Sequence, residues 1–160
     1  MKNAFAPRLL ALLLLLTACA AALHLACASG IAPGVVEVEA GGRSLSLALA
    51  DLPAAPVEGE TVNGRGERRT IQGSGVELTA LLERAGVDPS AVPGVTVLAA
   101  DGYSARIGGE ELRESGRVFL LLREEGLPRL VVFGDPDSRR AVRDVVRVAA
   151  DGPDAGTPAP

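Results

Sequence analysis

Residues 74–107 read SGVELTALLERAGVDPSAVPGVTVLAADGYSARI, and the order of signals in this stretch decides the fold. Leu78, Leu81, Leu82 and Ala85 fall at i, i+3, i+4 and i+7, the spacing that lays one apolar stripe along an α-helix. Ser74 and Glu77 have capping-box spacing, which predicts a helix start where each side chain satisfies a free amide. Gly86 stands where a left-handed C-terminal residue is wanted. Val87 follows as its apolar companion, and Pro89 forbids continuation. Val95, Val97 and Leu98 then form a short β-rich run ending in Ala99-Ala100. Asp101-Gly102 supplies a turn that tolerates positive φ. Helix, loop, strand and turn follow one another in that order.

Outward from this stretch the chain predicts many short strands. Residues 35–39 alternate Val and Glu as a half-exposed strand. Leu45, Leu47 and Leu49 alternate with small residues as a second strand, or as a strand leading into a short helical turn before Pro53. Residues 54–59 read as a connection. Residues 60–63 and 68–72 pair as a hairpin across Gly64-Arg65-Gly66. Residues 103–107 are strand-like, and residues 109–115 form a short polar helix. The unbroken apolar run 118–122 has the look of a central strand. Residues 130–133 follow across Gly126-Leu127-Pro128, and Val142, Val145, Val146 and Val148 form a last, kinked strand. The expectation is an α+β domain of mixed β-sheets with two or three short helices.

Composition sets the limits. The chain has 160 residues, of which 48% are hydrophobic, so one domain with a sizeable core is affordable. Tryptophan is absent, and beyond the leader the aromatic residues are Tyr103, Phe119 and Phe133. Residues 29–160 carry 14 arginines against 20 acidic residues, a net charge of −6. An acidic domain with no basic aromatic surface excludes nucleic acid as a partner.

Residues 1–28 are a targeting segment, expected as a signal peptide or membrane anchor. Lys2 and Arg8 precede a leucine-rich run over residues 9–16. Leu16-Thr17-Ala18-Cys19 resembles a bacterial lipobox, in which Cys19 is the lipidated residue. Ala26-Cys27-Ala28 also suits ordinary signal cleavage, and residues 9–28 are long enough to remain as one spanning helix. All three place the domain outside the cytoplasm, secreted or attached to the membrane through its N-terminal segment. Residues 29–34 are then a linker, 35–150 the domain and 151–160 a Gly/Pro/Ala tail expected to be disordered.

Four local patterns, in order, resemble the oxidoreductase molybdopterin-binding domain, the fold of the sulfite oxidase catalytic region, in a compact form. Leu45-Ser46-Leu47 leading to Ala50-Asp51-Leu52-Pro53 is similar to its early Leu-x-Leu and Asp-Leu element. Gly75-Val76 through Leu81-Leu82-Glu83-Arg84-Ala85-Gly86-Val87 is similar to its Leu-Leu-x-x-Ala-Gly helix. Ala100-Asp101-Gly102-Tyr103-Ser104 is similar to its Asp-Gly-Tyr-Ser turn. Arg129-Leu130-Val131-Val132 followed by Val142-Arg143-Asp144-Val145 is similar to its late strand pair. The resemblance implies molybdopterin as the cofactor class and a membrane redox protein as a partner. It also points to Asp101, Tyr103, Ser104 and Arg106 as candidate cofactor-binding residues. Ser104 and Arg106 lie two apart on one strand and so share a face.

The departures from that family decide the chemistry. Enzymes of this type hold molybdenum through a cysteine thiolate, with histidine and arginine near the pterin phosphate. Cys19, Cys27 and His24 all lie in the leader, so residues 29–160 contain neither type. Oxygen-only side chains are a poor substitute for a thiolate on a soft metal. The same lack excludes Ser-His-Asp and Cys-His triads and any zinc site of the usual ligand type. Gly64-Arg65-Gly66 and Gly73-Ser74-Gly75 lack the lysine and the spacing of a nucleotide loop. Gly134-Asp135-Pro136-Asp137-Ser138 reads as a plain turn. Arg65, Arg68 and Arg69 read as a solvated hairpin face balanced by Glu58, Glu60 and Glu67. No residue is assigned to catalysis and none to a metal. The expected function is that of a non-catalytic ligand-binding or accessory module of a redox system. The alternative is a molybdopterin-dependent oxidoreductase without a protein thiolate.

Overall fold

A computed structural model describes residues 34–136 and 138–152. The expected leader with its lipidation site Cys19, and the linker apart from Gly34, lie outside the described residues, as does most of the expected tail. Among the described residues no helix is long and apolar enough to cross a membrane.

Nine strands form two sheets among the described residues. The first has the order β2-β1-β9-β5-β6, built from β1 (Val35–Ala40), β2 (Arg43–Ala48), β5 (Gly94–Ala99), β6 (Ser104–Gly108) and β9 (Val145–Ala150). It is mixed: β1 and β9 run parallel, whereas β1–β2, β5–β6 and β5–β9 are antiparallel. The second has the order β3-β4-β7-β8 and is antiparallel throughout. Its strands are β3 (Ala54–Val62), β4 (Arg68–Glu77), β7 (Val118–Leu121) and β8 (Arg129–Val132). Two short helices, α1 (Leu78–Arg84) and α2 (Gly109–Leu112), and a 3-10 turn over Leu49–Asp51 complete the elements. The α+β expectation with mixed sheets agrees with this architecture.

One core joins both sheets. Val36, Val38, Val95, Val97 and Val148 enter it from the first sheet; Val76, Val118, Leu120, Leu130 and Val132 enter from the second. Leu78, Leu81 and Leu82 of α1 are fully buried there, which is the predicted stripe. Each such leucine contributes roughly 1.5–3 kcal/mol through burial alone. The helix ends as its sequence dictates. Gly86 has φ +77, its N–H bonds the Glu83 carbonyl, and the Val87 N–H bonds that of Leu82, both at 2.9 Å. That is the paired hydrogen-bond pattern of a glycine-terminated helix.

The helix start differs from the expectation. Ser74 belongs to β4, where it stands opposite Pro56, and its carbonyl accepts from the Leu122 N–H. Glu77 is the N-cap but makes no side-chain cap bond; its carboxylate instead accepts from the Gly116 N–H at 2.7 Å. The strand outlasts the capping signal because β7 pairs with it up to Glu77. Residues 54–59, expected as a connection, are the first part of β3, and the last strand starts at Val145 rather than Val142.

The opposite face of the second sheet carries a smaller cluster of Phe119, Leu121 and Val131, with Val57, Ile71 and Phe133 packed on it. The rings of Phe119 and Phe133 lie 5.7 Å apart and tilted by 53°, an edge-to-face type of contact. The sheet curls far enough that the Gly134 N–H, two residues past β8, bonds the Glu60 carbonyl on the opposite edge strand at 3.0 Å. With both faces covered, all four residues of β7 are buried, in keeping with its predicted central place.

Candidate functional site

The Asp101 turn joins β5 to β6. The Asp101 carboxylate accepts from the Tyr103 N–H at 2.9 Å, and the Gly102 N–H donates to the Ala99 carbonyl. Gly102 takes φ +89, which is why glycine serves there. Tyr103 does not fold over its own turn. The residue is 47% exposed, and its hydroxyl donates to the Arg139 carbonyl, on the segment that precedes β9.

Ser104 and Arg106 lie on the exposed face of β6, on the same side, as expected. The Arg106 guanidinium points away from the turn. It pairs with Asp151 at 2.8 Å, beside Gly94 at the far end of β5. Asp101, Tyr103 and Ser104 are therefore grouped at one end of the sheet, and Arg106 is occupied at the other. Asp151 also lines a groove of about 620 Å³ between the β1–β2 turn and the end of α1, walled by Leu45, Val87 and Val92. None of the candidate turn residues lines it.

Beside the Asp101 turn the structure collects three arginines that sequence spacing did not bring together. The Ala100 N–H donates to the Asp144 carbonyl at 2.9 Å, so the segment preceding β9 is stitched to the start of the turn. The Leu130 N–H bonds the Val142 carbonyl, and the Val145 N–H bonds the Pro128 carbonyl. This brings Arg143 alongside Arg129. Arg129 stands opposite Leu121 across β7–β8, and Arg123 follows two residues beyond Leu121. Arg123 pairs with Asp144 at 2.9 Å, both side chains about half exposed. Asp144 is held at φ +51, the positive-φ non-glycine residue of the described chain.

Arg129 is the unusual member. Its Nε is buried and has no hydrogen-bond partner, and no carboxylate pairs with it among the described residues. Burial, and then the nearby charges of Arg143 and Arg123, hold its pKa below the ordinary guanidinium value. Arginine offers donors only, so what this group lacks is an acceptor. The sequence signal was present, since Arg129 opens the late-strand pattern; its two partners lie 6 and 14 residues away and needed the fold.

A second polar network borders the site. Asp135 is 7% exposed and takes both forks of Arg140, at 2.8 and 2.9 Å. Arg140 also bonds Glu111, which in turn pairs with Arg117 at 3.1 Å. The Asp135 hydrogen bonds, the largest influence on it, raise the Arg140 pKa above its usual value. The segment expected as a plain turn is thus anchored through a buried carboxylate. Arg68 and Arg69 pair with Glu60 and Glu67 on the exposed hairpin, a solvated face as read.

The donor set does not fit the metal end of a molybdenum–pterin group. Residues 29–160 hold no sulfur or imidazole ligand, and the buried carboxylate, Asp135, is spent on Arg140. The cation cluster does suit an anionic group.

Geometry and topology define an α+β domain of two sheets sharing one core. No protein-family model matches the sequence, and no curated protein is similar enough to count as a relative. Among solved structures it is similar to the sulfane dehydrogenase SoxCD from Paracoccus pantotrophus. The TM-score is 0.58 at 19% identity, over 72% of this chain and 37% of that one. The likeness is one of fold alone. The chain spans little more than a third of the length of that protein.

Proposed function

We propose that this chain is an extracytoplasmic, membrane-attached protein whose molybdopterin-binding-like domain serves a redox system as a non-catalytic ligand-binding or accessory module. One observation carries the reading. A fold similar to that of a dehydrogenase is combined with a domain that offers no thiolate or imidazole, so the scaffold is present without the ligands for metal chemistry. The leader supports attachment to the membrane, with Cys19 as the lipidated residue, and a membrane redox protein as the partner. Asp101, Tyr103 and Ser104 supply the ligand-facing turn in this reading.

The test is metal analysis with pterin fluorescence on protein made in a host competent for molybdopterin synthesis. Clean apo-protein is the expected result. Stoichiometric metal with pterin would instead establish the alternative, an oxidoreductase that works without a protein thiolate. Attachment is tested by Cys19→Ala, which should release the protein from the membrane fraction; retention there would exclude the lipid anchor.

A further inference from the structure

The turn between β3 and β4 holds the Asn63 side chain in a geometry that favours attack on its own amide. We propose that Asn63 is a site of self-modification, in which the Gly64 main-chain nitrogen displaces the amide nitrogen and the residue ends as aspartate or isoaspartate. The proposal is independent of the functional reading above.

Asn63 and Gly64 follow directly on β3, and the Asn63 side chain organises the turn. Its Oδ1 accepts from the Arg65 N–H at 2.9 Å and from the Glu67 N–H at 3.1 Å. Its Nδ2 donates to the Glu67 carboxylate at 2.8 Å. Chemistry fixes that orientation, since a carboxylate offers only acceptors and main-chain N–H groups only donors. The Asn63 main chain is held as well. Its N–H bonds the Glu67 carbonyl, and its carbonyl accepts from the Gly66 N–H, both at 2.9 Å.

This arrangement supplies what cyclisation needs. The pair of N–H donors on Oδ1 polarises the amide and stabilises the oxyanion that forms when its carbon is attacked. The Gly64 N–H makes no hydrogen bond among the described residues, so the attacking nitrogen is not engaged elsewhere. It is tied to the Asn63 Cγ through the Asn63 backbone, which makes the reaction intramolecular and the product a five-membered imide. Gly64 also carries no Cβ to crowd the approach.

Water is the only co-reactant. As the Gly64 N–Cγ bond forms, the Gly64 N–H gives its proton to solvent. The Cγ–Nδ2 bond then breaks, and the amide nitrogen takes up a proton from solvent and leaves as ammonia. Water opens the imide at either carbonyl, giving aspartate or isoaspartate. Asn63 is half-buried and Gly64 exposed, so water reaches the ring.

Either product disturbs the hairpin. A carboxylate at position 63 faces the Glu67 carboxylate where an amide donated to it, and like charges that close repel. An isoaspartyl link lengthens the main chain beside the Val62–Arg68 pair that ends the β3–β4 ladder. Asn63 is the only asparagine in residues 29–160, so asparagine chemistry there is confined to this turn.

The experiment follows the full-length chain in mild detergent at mildly alkaline pH, folded and, in parallel, unfolded in urea. Conversion at Asn63 is read by peptide mass spectrometry, and isoaspartate by labelling with an isoaspartyl methyltransferase. The folded protein should convert at least as fast as the unfolded chain, at a rate that rises with pH. Gly64→Ala should slow the folded reaction roughly tenfold by misplacing the attacking nitrogen. That variant suits the fold, because a Cβ at Gly64 meets nothing nearer than the Ser138 hydroxyl at 3.9 Å and Gly64 has no positive φ. Slower conversion in the folded protein than in urea overturns the proposal, since the turn then protects the amide; this comparison needs no variant. An unchanged rate in Gly64→Ala overturns it too, by showing that water rather than Gly64 attacks.

Discussion

The Ala100 N–H donates to the Asp144 carbonyl at 2.9 Å, joining two segments that are 44 positions apart in the chain. Ala100 opens the turn that carries Asp101 and Tyr103; Asp144 follows Arg143 and holds Arg123. A second tie, from the Tyr103 hydroxyl to the Arg139 carbonyl, reinforces the first. The turn and the arginine cluster therefore form one neighbourhood, and displacement of either segment is felt by the other. The first tie joins main-chain atoms, which substitution of side chains leaves in place; the second is lost with the Tyr103 hydroxyl.

Arg129 is a stability liability in the ligand-free protein. Its Nε is buried without a partner, and Arg143 and Arg123 oppose its charge. Arg129→Met keeps an unbranched apolar stem as far as the position of Nε and removes the unpaired donor. Urea denaturation should show the variant more stable than the parent by about 1 kcal/mol in chloride buffer. A loss of stability of that size would mean that Arg129 has an acceptor in solution.

Asp135 has the opposite role. It is nearly fully buried beneath the bidentate fork of Arg140, and removing one member of such a pair strands the other. Asp135→Ala should cost about 2 kcal/mol, discounted from a fully buried pair because Arg140 is partly exposed. Arg140→Lys should not restore the parent value in thermal melts, since an ammonium cannot reproduce the fork. Equal stability of Arg140→Lys and the parent would show that charge alone holds the segment.

Much of this fold is legible in residues 74–107, and the reasons are local. The stripe of Leu78, Leu81 and Leu82, the left-handed Gly86 and the Asp101-Gly102 turn each depend on neighbours a few positions away. The helix start was misread because Ser74 obeys the register of β4 with β3 and β7, a non-local demand. Residues 54–59 hid a strand because Pro56 and Gly59 break its alternation; β3 is an edge strand, where a proline withholds no ladder bond. The arginine cluster could not be read from spacing, since Arg123, Arg129 and Arg143 converge only when the segment before β9 runs along β8.

Gly59 shows how closely that edge is packed. A methyl group there would overlap the ring of Phe133, which packs with Val57 and Ile71 on the smaller cluster. Gly59→Ala should therefore destabilise by about 1–3 kcal/mol through overpacking. Pairing it with Phe133→Leu, which vacates the space, should recover part of that loss in denaturant melts. Strictly additive losses in the double variant would place the strain elsewhere.

Glu37 sets one part of the acid response. It stands opposite Arg147 across the parallel β1–β9 pair, bonding its Nε at 2.8 Å and accepting from the Ser44 hydroxyl. The Ser44 bond first, and then Arg147, hold its pKa below the ordinary 4.5. A carboxylate whose folded pKa is depressed stabilises fully above its unfolded value and loses that contribution as pH falls through the folded one. Glu37→Gln should thus be slightly less stable than the parent at pH 7, and the two should converge as pH drops through the carboxylate range. The gap should also narrow at high salt, because the pair is partly exposed and so partly screened. Urea melts of both proteins across that range decide it: a gap that stays constant with pH would show that the Glu37 carboxyl makes no ionised contact of value in the folded state.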